Sequence, residues 1–190
     1  MLFVVGVALI ATPTPESRTL VFVIGFGLAQ LIHLLLPALP AFAQSDQPLV
    51  AVGKIDGTIT PIMARYVDST IDKAVEDGAT AVVFEMNTPG GLDSAMDDIV
   101  DDFQQSAIPV IVYITPDGAS AESAGVSIAN AAQIAAMAPG TTIGRSSSED
   151  EPATITAEEA LSAHAIDIIA PDLATLLTQI DGRTVQLASG

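Results

Sequence analysis

The 190-residue chain has no cysteine and no tryptophan, and its six lysines and arginines face 23 aspartates and glutamates. Without cysteine there is no disulfide to staple a domain outside the cell and no thiolate to act as nucleophile. A formal net charge of −17 excludes nucleic acid as a partner, because binding phosphates needs a basic face. It equally opposes docking on anionic lipid headgroups, and with lysine so scarce it reads as a solubility device. Because basic residues are few, their positions carry information. Only Arg18 lies near the N-terminus, and no lysine or arginine falls between Arg145 and Arg183.

What is abundant is apolar sequence, and the longest run comes early. Thr19 to Ala43 contains no charge and ends in Pro40-Ala41-Phe42-Ala43-Gln44, an Ala-x-Ala pattern that allows cleavage after Ala43. Its length also suits one membrane-spanning helix, since about 20 apolar residues cross the hydrocarbon core. Residues 1–43 are therefore expected to be a signal peptide or a membrane anchor, and cleavage and retention both stay open. Residues 44–190 are expected to be one folded domain on the extracytoplasmic side of the cytoplasmic membrane.

That domain reads as strands alternating with helices. Leu49 to Ile55, Ala81 to Met86, Pro109 to Ile114 and Gln133 to Met137 are short apolar runs, as in a parallel sheet covered on both faces. Between them, Thr60-Pro61 opens a helix to about Glu76, with Ile62, Tyr66, Ile71 and Ala74 expected on its buried side. Leu92 to Gln104 forms a second helix, with Met96, Ile99, Val100 and Phe103 as its core stripe. Glu122 to Ala132 is a third, made of small residues. Ser146 to Pro152 is polar and reads as a connection, and Thr156-Ala157-Glu158-Glu159 carries a capping pattern. A strand at Ile166 to Ala170, a helix at Pro171 to Gln179 and a last strand at Thr184 to Leu187 complete the pattern. Repeated β-then-α order implies right-handed crossovers and a mainly parallel sheet with outer helices.

Two turns carry the chemistry. Asn87-Thr88-Pro89-Gly90-Gly91 follows one buried strand, and Gly118-Ala119-Ser120-Ala121-Glu122-Ser123-Ala124-Gly125 follows the next. Acyl transfer needs a nucleophile, a base and donors aimed at the developing oxyanion. Gly90 and Gly91 can bring bare backbone N–H groups close to a carbonyl. Ser123, at a helix N-terminus, is the candidate nucleophile, and the N–H of Ala124 is a further donor. Ser120 competes but lacks the close-packing Ala-Gly that follows Ser123. On spacing alone, a glycine-rich turn and a packing helix with incidental serines explain the same residues.

Those two segments resemble the NfeD family, together with Pro109-Val110-Ile111-Val112-Tyr113 and Met137-Ala138-Pro139-Gly140-Thr141-Thr142-Ile143-Gly144. The resemblance resumes from Thr156 to Leu161 and runs through Ile166–Leu173 to Val185. The family comprises membrane-associated serine proteases of the Clp-protease/crotonase fold, a ββα superhelix, often encoded beside stomatin-like proteins. The resemblance implies Ser123 as nucleophile and Gly90, Gly91 and Ala124 as backbone oxyanion donors, with no cofactor and no metal. It implies a peptide or membrane-protein substrate cut in apolar segments, a stomatin-like partner, and assembly into homo-oligomers as in several relatives. Crotonase-type acyl-coenzyme A chemistry is disfavoured by the absence of a basic site for nucleotide phosphates.

The family's base is a lysine on a helix between the Pro-Gly-Thr-x-Ile-Gly loop and the Thr-Ala-Glu-Glu-Ala block. Here that interval, Arg145 to Ile155, holds no lysine. Lys54 and Lys73 read as solvated charges, His164 as a helix cap and only secondarily as a substitute base. Arg145 stays protonated and cannot serve. Asp93 and Glu122 flank the cleft, but a carboxylate alone is a poor activator of serine. Two readings therefore stand: a serine endopeptidase of reduced competence, or an inactive relative that binds peptides and assembles with a membrane partner.

Overall fold

The computed structural model describes residues 48–144 and 154–187. The run from Thr19 to Ala43 and its cleavage motif lie outside them, as does Arg145. Among the described residues no helix is long and apolar enough to cross a membrane.

Residues 47–190 form one compact unit. Five strands make a parallel sheet in the order β1 (Val50–Asp56), β2 (Ala81–Asn87), β3 (Val110–Ile114), β5 (Ile134–Met137) and β8 (Ile168–Ile169). Both faces are apolar because the strands alternate between two buried sets. Val82, Phe84, Met86, Val110, Val112 and Ile114 join the larger core, while Val83, Ile111 and Tyr113 join the smaller one. The larger core lies under α1 (Pro61–Glu76), α2 (Asp93–Gln105) and α3 (Ala124–Ala131). The smaller is covered by α5 (Leu173–Ile180) through Leu173, Leu176 and Leu177.

Helix α1 starts where the sequence indicates, with the Thr60 side chain accepting from Met63 N–H and Pro61 in the first turn. Its buried face differs from the expected one. Ala64, Val67, Ile71 and Ala74 are buried, whereas Ile62 is 71% and Tyr66 43% exposed. At 100° per residue, Ile62 and Tyr66 fall on the opposite side from Ala64, so they form a second, outward stripe. In α2 the fully buried positions are Ala95, Ile99 and Phe103, with Met96 and Val100 only partly covered.

A second, small sheet has no counterpart in the sequence pattern. β4 (Ser120–Ala121) pairs parallel with β6 (Thr142–Gly144), which pairs antiparallel with β7 (Thr154–Thr156). Strands of two or three residues leave no periodicity to read. β7 leads into α4 (Ala157–Ser162) through a complete capping box between Thr156 and Glu159, as the local pattern indicates. No strand forms over residues 184–187; Val185 instead packs half-buried against the smaller core.

The register of β6 and β7 bears on function. Gly144 pairs with Thr154, and the nine residues 145–153 between them, which include the polar stretch Ser146 to Pro152, lie outside the described residues. They contain no lysine.

Candidate active site

All parallel strands of the main sheet end at the same side, and there the loops after β1 and β2 meet the start of α3. Asn87 ties the three together. Its Nδ2 donates to Asp56 Oδ1 (3.2 Å), its Oδ1 accepts from Ser120 N–H (3.1 Å), and its carbonyl accepts from Gly57 N–H (2.9 Å). Thr88 is fully buried and continues the clamp: its N–H donates to Ser120 O (2.7 Å) and its carbonyl accepts from Glu122 N–H (3.0 Å). Residues on either side of the chemistry are thereby held as strand neighbours, although 33 positions separate Asn87 from Ser120.

The two glycines have different tasks. Gly90 has φ 103°, and a β-carbon there would sit 2.8 Å from Ser123 Cβ and 3.3 Å from Ser123 Oγ. Its bare α-carbon is what lets the serine approach. The Gly90 N–H, expected as an oxyanion donor, is already given to Thr88 Oγ1 at 3.0 Å. Gly91 forms a parallel bridge with Ile59: Ile59 N–H donates to Gly90 O (2.9 Å) and Leu92 N–H to Ile59 O (3.0 Å). In that geometry the N–H of Gly91 points away from Ile59, and among the described residues it has no acceptor. The unpaired N–H of this turn is therefore that of Gly91, while Gly90 leaves room through its missing side chain.

Ser123 caps α3 with φ 49° and ψ −113°, a conformation that L-residues avoid. Holding it costs of order 1–3 kcal/mol, which the surrounding structure must overcome. The sharp turn has a local cause. β4 and its bridge to Thr88 run as far as Ala121, and helical bonding begins at once with Gly125 N–H to Glu122 O (2.8 Å) and Val126 N–H to Ser123 O (3.0 Å). Gly125 permits this, because a β-carbon there would lie 2.6 Å from Thr88 Cγ2. The result is an exposed hydroxyl on a strained strand-to-helix turn, the backbone shape of a nucleophile elbow. Ala124 N–H, in the unpaired first turn of α3, is likewise without an acceptor among the described residues. Ser120 is an ordinary strand residue paired with Thr142.

No basic side chain joins this group among the described residues. Lys54 pairs with Glu85 at 3.1 Å on the sheet edge, and Lys73 with Asp77 at 2.6 Å one helical turn away. These are the only two lysines in the chain. His164 is the left-handed residue (φ 57°) that closes α4, with His164 N–H to Leu161 O (3.1 Å) and Ala165 N–H to Ala160 O (2.8 Å). That is a Schellman cap, and the exposed ring makes no hydrogen bond among the described residues.

A family model described as the NfeD1b N-terminal domain matches residues 49–180. The chain belongs to the NfeD family. The NfeD domain is 45% identical over 117 residues to the membrane-bound protease PH1510 of Pyrococcus horikoshii, covering 62% of this chain and 26% of that protein. It is 30% identical over 102 residues to the membrane protein NfeD1b of Bacillus subtilis, covering 54% and 23%. The chain thus spans about a quarter of the length of these curated relatives. Among solved structures it superposes on 1510-N, a protease specific for a stomatin homologue from Pyrococcus horikoshii. There the TM-score is 0.68 at 35% identity, over 75% of this chain and 84% of that one. A lysine-to-alanine variant of 1510-N in complex with a substrate peptide matches with TM-score 0.65 at 32% identity, over 76% and 90%. ClpP1 of Listeria monocytogenes, at 19% identity and TM-score 0.55 over 66% and 94%, shares the fold. The NfeD domain is thus a Clp-protease-like α/β fold.

Proposed function

We propose that this NfeD domain engages apolar segments of membrane proteins at a serine-peptidase site, with Ser123 as nucleophile and the N–H groups of Gly91 and Ala124 as oxyanion donors. The observation that carries the reading is the strained Ser123 backbone, aimed at a glycine that leaves room for it beside two unpaired N–H groups. Strain is retained where function uses it. In an acyl-transfer site the two donors meet charge that develops only in the transition state.

Peptide hydrolysis by this chain alone is slow in this reading. A positioned base or acid contributes roughly 10²–10⁴-fold, and both lysines are committed to surface ion pairs. The same observation favours a second role, a binding or assembly module that holds a stomatin-like membrane partner, and self-association accords with either role. Export or anchoring by residues 1–43 would place the domain outside the cytoplasmic membrane, beside such partners.

The test pairs binding with cleavage. An apolar peptide from a membrane protein is titrated into the full chain and into S123A, and both mixtures are followed by mass spectrometry. Equal binding by the two, with cleavage near the uncatalysed rate, is the expected result. Rapid cleavage that S123A abolishes would reveal a resident base and contradict the slow-hydrolysis reading. No binding by either would overturn the peptide-site assignment.

A further inference from the structure

We propose that Ser123 accepts aliphatic acyl groups from esters and thioesters and holds them as a long-lived acyl-serine, while amides do not acylate it. This rests on the reading of Ser123 as nucleophile and goes beyond it to the class of bond broken. When Ser123 Oγ attacks a carbonyl, the O–C bond forms and the carbonyl electrons move to oxygen, where Gly91 and Ala124 N–H receive them. The hydroxyl proton passes to water or buffer. Collapse then expels the leaving group with the electron pair of the broken bond. A thiolate or aryl oxide leaves as the anion, since thiols ionise near pH 8.5. An amide nitrogen must be protonated before the C–N bond breaks, and that proton comes from the conjugate acid of a positioned base. Among the described residues no lysine or histidine is placed at Ser123. The missing base also slows the next step, in which water must be deprotonated to release the acyl group. Acylation therefore outruns release.

The acyl class follows from a cavity lined by α3, the helix that Ser123 opens. Val126, one helical turn after Ser123, lines a space of about 480 Å³ with Ile143, Ile155, Ala163 and Ala165. Gly144 lines this space as well, and its β-carbon position is 3.0 Å from Val126 Cγ2 and 3.6 Å from the Cα of Glu122, the residue before Ser123. The walls are aliphatic, with Asn130 and Glu159 as polar members, and the Glu159 carboxylate is occupied by Thr156 N–H at 2.9 Å. The volume lies in the range of small-ligand sites, and an unbranched aliphatic chain is the occupant that asks for no further hydrogen bond.

The experiment uses the purified full chain with 4-nitrophenyl acetate, 4-nitrophenyl octanoate, an S-octanoyl thioester and octanoyl 4-nitroanilide. Intact mass and peptide mapping read the adduct. The expected result is about one equivalent of octanoyl group on Ser123 from the ester and the thioester, faster than acetyl. Acylation from the anilide is slower by roughly 10²–10⁴-fold, and added imidazole speeds release. S123A carries no adduct, and A163F loses the preference for octanoyl over acetyl. Mapping on the unaltered chain keeps the test decisive if a variant fails to fold. Anilide acylation comparable to ester, or an adduct elsewhere than Ser123, overturns the proposal. If a fluorophosphonate labels Ser123 but no ester acylates it, the acyl-acceptor inference fails and the nucleophile reading stands. If neither reacts, both fall.

Discussion

Single atoms at the two glycines set the limits of this site. A β-carbon at Gly91 would lie 2.2 Å from Ile59 O and 2.5 Å from Ile59 N, backbone that has no side-chain freedom to move aside. Gly91→Ala is expected to cost ~3 kcal/mol or to prevent folding, read by urea denaturation. At Gly90 the clash is with the Ser123 side chain at 2.8 Å, and φ 103° adds strain. Gly90→Ala is expected to cost about 1–2 kcal/mol and to abolish fluorophosphonate labelling in the protein that remains folded. The sequence shows that both glycines matter, because a Pro-Gly-Gly turn after a buried strand is legible. It does not show that they divide the work. The N–H of Gly90 is taken by Thr88 Oγ1 two residues earlier, a side-chain bond within the turn that the glycine pattern does not reveal.

The elements of the main sheet and its helices are legible in the sequence, and those of the small sheet are not. β2, β3, α1 and α2 are long enough for apolar periodicity to locate them within a residue or two. β4, β6 and β7 are set by pairing with distant chain, so Thr154–Thr156 has no local signature beyond the helix cap that follows it. The cap itself is testable. Thr156→Ala removes the side-chain half of the capping box, leaving the backbone N–H at 156 to the Glu159 carboxylate, and is expected to destabilise the domain by ~1 kcal/mol in denaturant titration. α2 carries a pH-dependent liability at Asp102. Partial burial, with Asp68, Asp98, Asp101 and Asp72 nearby, raises its carboxyl from the ordinary 3.8 to about 6. The folded state therefore binds this proton more tightly than the unfolded chain, and stability contributed by protonation is gained as pH falls from about 6 towards 3.8. At pH 7 the ionised group is destabilising. Asp102→Asn is expected to stabilise by ~1 kcal/mol at pH 7, after allowing for solvent screening, with the gain vanishing below pH 4. A melting series from pH 4 to 8 checks both the sign and the window.

At the scale of the whole molecule, charge and the missing lysine dominate. A net charge of −17 makes the compact state repel itself. Raising salt from about 10 mM, where screening reaches about 30 Å, to 1 M, where it falls to about 3 Å, is expected to raise the melting temperature. The lysine gap was visible in the sequence as a short interval. What the sequence could not supply is that Gly144 and Thr154, on either side of that interval, are strand partners. A Clp-protease-like fold is thus retained around a serine that has unpaired N–H groups but, among the described residues, no lysine beside it. The most direct test is intact-mass analysis of the full chain after exposure to a fluorophosphonate, with S123A alongside. A single adduct on Ser123, absent from S123A, is the predicted result. A folded chain that stays unlabelled at Ser123 would contradict the account.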